Sequence, residues 1–167
     1  MTSQYANPMQ TSELEQQKPS IDALPVALQV GAVLKPTQVA LHEAMATALR
    51  KVDLTVTSYS TMRNLARSPG ISKSDLARKA FVRSQSLTGI LADLSAAELI
   101  TRSSDPEHGR ILKTELTAAG LDKLAEADAL VVPIIEYMVE GIPEQDQARL
   151  VEMLSHCRER LTQPHWA

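Results

Sequence analysis

Apolar residues recur along the chain with two different periods, and the changes of period mark out the elements. From about Pro36, a residue suited to a first helical turn, Leu41, Met45, Ala48 and Val52 keep helical spacing. Thr55 or Val56 opens a second helix with an inward stripe of Tyr59, Met62, Leu65 and Ala66, and Ser68-Pro69-Gly70 stops it. Ser72 caps a short helix over residues 73–80 with Leu76 and Ala77 inward. After a turn at Phe81-Val82-Arg83, residues 84–97 place Leu87, Ile90, Leu91 and Leu94 on one helical face. The pattern then shortens. Residues 99–102 and 111–116 read as strands, joined by a tip whose Pro106 and Gly109 are hairpin residues. Thr117 caps a long helix over residues 118–140 that Pro133 interrupts and Gly141 ends. Pro143 opens a last helix with a stripe of Leu150, Leu154, Cys157 and Leu161.

The fold class that follows is mainly α with a small β-hairpin wing. It is a winged helix-turn-helix with flanking dimerisation helices, because the terminal helices carry apolar stripes with no remaining core to cover. Five parts result: a flexible N-terminal extension (1–32), an N-terminal dimerisation helix (33–56), a winged helix-turn-helix DNA-binding domain (57–117), C-terminal dimerisation helices (118–162) and a tail (163–167). The extension is rich in Ser, Thr, Gln and Pro and has no sustained periodicity.

Composition sharpens this picture. Hydrophobic content of 44% with only 3% aromatic residues makes a core of Leu, Val, Ile, Met and Ala. No apolar run approaches a membrane span, and the N-terminus does not read as a secretory signal, so a cytoplasmic protein without membrane contact is expected. A single cysteine, Cys157, excludes an intramolecular disulfide. The formal net charge of −3 conceals an asymmetry. Residues 63–83 hold six cations against Asp75, a net of +5, whereas residues 118–163 hold four cations against nine acids, a net of −5. A basic middle beside an acidic C-terminal half suits a protein that turns one face to phosphates.

Over residues 36–162 the chain resembles the MarR family of transcription regulators. The resemblance is carried, in order, by Leu54-Thr55, by Ile71-Ser72-Lys73-Ser74-Asp75-Leu76-Ala77, and by Val82-Arg83-Ser84-Gln85-Ser86-Leu87-Thr88. It continues through Leu99-Ile100-Thr101-Arg102, Asp105-Pro106-Glu107-His108-Gly109-Arg110 and Leu116-Thr117-Ala118-Ala119-Gly120. Two positions depart from the family pattern: His108 stands where the family's wing usually has an Asp, and Gly89 where many members carry a longer, often basic residue.

The resemblance implies a homodimer that binds double-stranded DNA and represses transcription until a small-molecule effector releases it. In such folds the recognition helix enters the major groove, which presents a distinct donor and acceptor pattern for each base pair. Arg83, Ser84, Gln85, Ser86, Thr88 and Gly89 lie opposite its apolar face. Gln85 suits bidentate bonding to adenine, and the hydroxyls suit bases or phosphates. Arg110, with His108 beside it, would enter the minor groove. Ser72, Lys73, Arg63 and Arg67 are candidates for phosphate contact, which supplies affinity and salt dependence. The family's effector pocket maps onto His42, Met45, Ser58, Tyr59 and Met62, although Met45, Tyr59 and Met62 also read as ordinary core.

Enzymatic chemistry finds no support. There is no Gly-rich phosphate loop and no Gly-x-Ser-x-Gly elbow, and His42-Glu43 lacks a second histidine. No histidine has zinc-ligand spacing with Cys157, so no catalytic residues, metal or cofactor are expected. Cys157, on an apolar stripe and without a second cysteine, reads as a buried structural residue. The competing class is a winged-helix interaction module that binds another regulator in place of DNA.

Overall fold

The computed structural model describes residues 21–104 and 112–163. In chain order the helices and strands are α1 (Val26–Leu49), α2 (Val56–Arg67), α3 (Lys73–Lys79), α4 (Ser84–Ala96), β1 (Ile100–Ser104), β2 (Leu112–Leu116), α5 (Ala118–Met138) and α6 (Glu144–Thr162). Single 3-10 turns stand at Ile21–Ala23 and Arg50–Val52. The chain divides into two compact units, Met1–Leu41 and His42–Ala167, so the boundary falls within α1.

In the first unit the helix starts earlier than the sequence suggests. It opens after Pro25, whose carbonyl accepts from the amides of Leu28 (2.8 Å) and Gln29 (3.1 Å). Residues 26–32 are therefore helical and not part of an extension, and Pro36 lies inside the helix. Proline removes one backbone donor from a helix interior. The Val, Ala, Leu, Gln and Lys residues around Pro36 nonetheless carry the helix through, and the Thr37 hydroxyl donates to Val33 O at 2.8 Å. The earlier part of the expected extension, residues 1–20, lies outside the described residues.

The second unit holds the core. Leu49, Val52 and Leu54 enter it from the end of α1 and the following turn, joined by Tyr59, Met62 and Leu65 of α2. Leu76 and Ala77 of α3, Leu87, Leu91 and Leu94 of α4, Ile100 of β1 and Leu124, Ala127 and Val131 of α5 complete it. Side-chain caps start three of the helices. Thr55, Ser72 and Thr117 accept from the amides of Ser58, Asp75 and Gly120 respectively, each satisfying one otherwise unpaired donor of a first turn. On α2 the inward stripe differs by one residue from expectation. Ala66 is exposed, and Thr61 is buried with its hydroxyl donating to Thr57 O at 2.8 Å.

β1 and β2 pair antiparallel, with Ile100 opposite Leu116 and Ser104 opposite Leu112. This two-stranded wing, following α2, α3 and α4, completes the winged helix-turn-helix. Its tip, with His108 and Arg110, lies outside the described residues. α5 ends at Met138, and Gly141 takes a left-handed φ of 79° in the turn to α6. Pro143 is the cap of α6 and not its first-turn residue. No residue of α6 is buried in the chain, so Cys157 is exposed, contrary to a buried structural role. The stripe it belongs to has no partner among the described residues of the second unit.

One close approach sets how α5 meets the wing. Thr117 donates its hydroxyl to Glu98 O at 2.8 Å and its amide to Leu99 O at 3.1 Å. A Cβ placed on the next-turn residue Gly120 would overlap the Leu99 carbonyl oxygen and stand 3.3 Å from Leu116 Cδ2. Backbone cannot yield as a flexible side-chain tip can, so only glycine fits. Gly120→Ala should therefore lower unfolding stability by about 1–3 kcal/mol through overpacking, although alanine is the better helix former by about 1 kcal/mol. Gly31→Ala on α1, where a Cβ meets nothing within 4 Å, should instead stabilise the fold. Urea denaturation at fixed protein concentration checks both, and equal stability of Gly120→Ala and wild type would contradict the packing described.

Candidate nucleic-acid interface

The helix-turn-helix is built from α3 and α4, which cross with their apolar faces buried. Leu76 and Ala77 face Leu87, Leu91 and Leu94 in the core, so the opposite face of α4 is outward. Arg83, Ser84, Gln85, Ser86, Thr88 and Gly89 are all exposed. Arg83 occupies the cap position without a side-chain cap bond, and Ser84 is the first helical residue. A Cβ on Gly89 would have nothing within 4 Å, so this part of the helix surface is open.

Two of the expected contact residues meet across the motif. Lys73 Nζ at the start of α3 donates to Thr88 Oγ1 at 2.7 Å, and that hydroxyl donates to Ser84 O at 3.1 Å. A cation is thereby held over the second turn of α4. Ser72 acts locally, its hydroxyl accepting from the Asp75 amide and donating to Asp75 Oδ2 at 2.8 Å. Arg78 pairs with the other Asp75 oxygen at 2.7 Å. The Arg78 hydrogen bond first, and the Ser72 hydroxyl second, hold the Asp75 carboxyl below its ordinary range. Arg67, at the end of α2, is exposed, and Lys79 Nζ donates to Ser68 Oγ at 3.3 Å.

Arg63 has partners within the fold that its sequence position does not announce. Its guanidinium donates to Asp128 Oδ1 of α5 at 2.8 Å and to the Tyr59 hydroxyl oxygen at 2.9 Å, and it lies 5.8 Å from the Tyr59 ring centroid. Tyr59 OH donates to the same carboxylate oxygen at 2.6 Å. Arg63 thus ties α2 to α5 through a single guanidinium nitrogen, with its side chain about one-third exposed (35%). Asp128 is 65 positions away in sequence, beyond the reach of any local pattern. Burial first, and the Asp128 hydrogen bond second, raise the Tyr59 hydroxyl above its ordinary pKa of 10.0. The hydrogen bond to Tyr59 is the leading reason Arg63 holds its proton more firmly.

Three of the expected effector residues meet in the core, and the other two lie near the start of α2 and on a cavity. Tyr59 and Met62 are core residues, 4% and 0% exposed, and Met45 packs half-buried against the same core. Ser58 joins the cap network, 2.8 Å from Thr55 Oγ1. His42 does line a cavity of about 360 Å³, but with Ala46, Arg50, Leu54, Thr55, Val56 and Thr57. Arg50 and Thr57 were not legible as a site, because the 3-10 turn that brings Arg50 back over the start of α2 has no sequence signature. Thr55 was legible only as a cap. Among the described residues no group of acids, histidines and cysteine could hold a metal.

The shared hydrogen bonds give a pH prediction. Tyr59 has a folded-state pKa above its unfolded value, so its stabilisation is complete below about pH 10. It is lost as pH rises through the folded-state value. Tyr59→Phe should cost about 1 kcal/mol near pH 7, and its deficit relative to wild type should shrink above about pH 10. Chemical denaturation across pH 7–11 checks this, and a deficit that is constant or grows would contradict it.

Comparison with known proteins agrees with this architecture. The MarR family model matches residues 52–111. The HTH-type transcriptional repressor Rv2887 of Mycobacterium tuberculosis is 35% identical over 103 residues, 62% of this chain and 69% of that protein. Rv2887 has been solved with salicylic acid, and that structure superposes with a TM-score of 0.64 at 28% identity, over 81% of this chain and 98% of the other. The transcriptional repressor CouR, bound to a 23-mer DNA duplex, shares the fold with a TM-score of 0.72 at 23% identity, over 80% of this chain and 94% of that one. With its winged helix-turn-helix and its 35% identity to Rv2887, the chain belongs to the MarR family of transcriptional regulators.

Proposed function

We propose that this protein is a DNA-binding repressor that reads a near-palindromic operator as a homodimer and is released by a small-molecule effector. The observation that carries the reading is the outward face of α4. Ser84, Gln85, Ser86 and Thr88 stand exposed on a helix whose other face is locked into the core, with Lys73 held over it. A polar helix face of this kind fits the major groove, where Gln85 pairs with adenine and the hydroxyls serve bases or phosphates. Arg83, Lys73, Ser72 and Arg67 supply backbone contacts. Gly89 lets the duplex approach α4 closely. In this reading Arg110 and His108 act at the wing, on the strength of the sequence.

Dimerisation is supported by apolar side chains that the chain leaves uncovered. In α5 and α6 these include Val132, Ile135, Met138, Leu150, Val151, Met153 and Leu154. In the first unit Val26, Leu28, Val30, Val33 and Leu34 are exposed as well. So much exposed apolar surface on several helices fits an obligate partner, and a second copy is the simplest one. A two-fold dimer repeats α4 about one helical turn of DNA apart.

The cavity beside His42 and Arg50 supports a small anionic effector. Arg50 supplies a cation, and the Thr55 and Thr57 side chains lie at the positive N-terminal end of α2. The relative Rv2887 has been solved with salicylic acid and with p-aminosalicylic acid. An effector shifts the protein off DNA only if it binds the non-binding state more tightly.

The test is a mobility-shift titration with a duplex selected from a random-sequence pool. Wild type should bind with an affinity that falls steeply with salt. Gln85→Ala should weaken the selected duplex about tenfold while barely changing random DNA. Lys73→Ala should weaken both and reduce the salt slope by about 1. Salicylate should release wild type more readily than Arg50→Gln. Absence of binding at low salt would overturn the DNA reading in favour of an interaction module.

A further inference from the structure

Phe81 stands in the turn between α3 and α4 in an arrangement that the packing of the chain does not explain. α3 closes with paired bonds, Phe81 N to Arg78 O at 3.3 Å and Val82 N to Ala77 O at 3.0 Å. This is the Schellman termination, in which the residue at the Phe81 position turns left-handed and is usually glycine. Phe81 takes it with φ of 55°, a conformation that is an outlier for a bulky side chain. The other non-glycine residues with positive φ among those described, Asp53 and Glu98, are polar. Val82 supplies the hydrophobic contact of the motif, since it packs against the core. The Phe81 ring packs on little, being 83% exposed. It is the only phenylalanine in a chain with few aromatic residues.

Position and charge indicate what covers the ring. Phe81 precedes Ser84, the first residue of α4, by three positions, so its backbone lies within about 11 Å of the helix start. The N-terminal residues of a recognition helix are the ones that reach base edges, in a groove about 12 Å wide. Lys79 and Arg83 lie two positions to either side of Phe81 in sequence, Arg78 is paired with Asp75, and no acidic residue occurs between Leu76 and Ala92. A surface that pairs cations with one exposed apolar ring matches a groove that pairs phosphates with thymine methyl groups.

We infer that Phe81 is a base-reading residue whose ring packs on a thymine 5-methyl group at the edge of each half-site. The inference rests on the DNA-binding reading above and adds a specificity determinant outside the helix itself. The ring is held by a strained turn and has few internal contacts, so its removal should act on DNA affinity and not on folding.

The experiment measures binding of wild type, Phe81→Gly and Phe81→Asn to the selected duplex by fluorescence anisotropy. It repeats the measurement on duplexes in which each thymine in turn is replaced by deoxyuridine, which removes only the methyl group. Gly and Asn both tolerate the left-handed backbone, so both variants should melt at or above the wild-type temperature. They should bind the selected duplex about tenfold more weakly. At one thymine per half-site, loss of the methyl should weaken wild type about fourfold and leave both variants unchanged. Wild type that binds while both variants bind equally well overturns this inference alone, as does a methyl effect of the same size in all three proteins. Wild type that selects no duplex overturns the DNA reading and this inference with it.

Discussion

The seating of Gly120 against the Leu99 carbonyl oxygen is the constraint from which the arrangement of the second unit follows. It lets α5 start directly on the base of the wing, with Thr117 bonded to both Glu98 and Leu99. From that start the helical repeat carries Leu124, Ala127 and Val131 onto the common core. It also brings Asp128 to Arg63 and Tyr59 on α2. The tie is partly exposed, with both charged side chains about one-third accessible (35% and 36%), so its value lies more in orientation than in stability. A side chain at residue 120 would move the whole of α5 relative to the wing.

α4 packs into the core that α2, α5 and the wing share. Leu87, Leu91 and Leu94 fill the remaining space, and the polar residues between them turn outward. Lys73 then reaches Thr88 from the neighbouring helix. The proposed reading surface is therefore packed at its back and open at its front, an arrangement suited to a helix that fits a groove with little rearrangement. Affinity of such a surface comes from phosphates and selectivity from the few side chains on the exposed turns.

Much of this was legible in the sequence for local reasons. Thr55, Ser72 and Thr117 mark helix starts because each side chain answers a nearby amide, and the stripe of Leu87, Leu91 and Leu94 repeats over two turns. Gly120 was visible as part of a motif, but its reason, a carbonyl 21 positions earlier, was not. Pro36 misled because proline favours first turns, whereas here flanking helix formers carry the helix through it. Ala66 and Thr61 changed places because a short helix shifts its buried stripe with small changes in tilt, and Thr61 satisfies its hydroxyl within the helix. Arg63 and the cavity at Arg50 depend on long-range placement, which charge and periodicity do not encode. Cys157 sits on an apolar stripe that reads the same whether a core or a second copy covers it.

The central claim is that two copies present their α4 helices to one face of the duplex, one turn apart. Hydroxyl-radical footprinting on the selected duplex tests it most directly. Two symmetric protected tracts centred about 10 base pairs apart are the expected result. A single asymmetric tract, or two tracts on opposite faces of the helix, would contradict it.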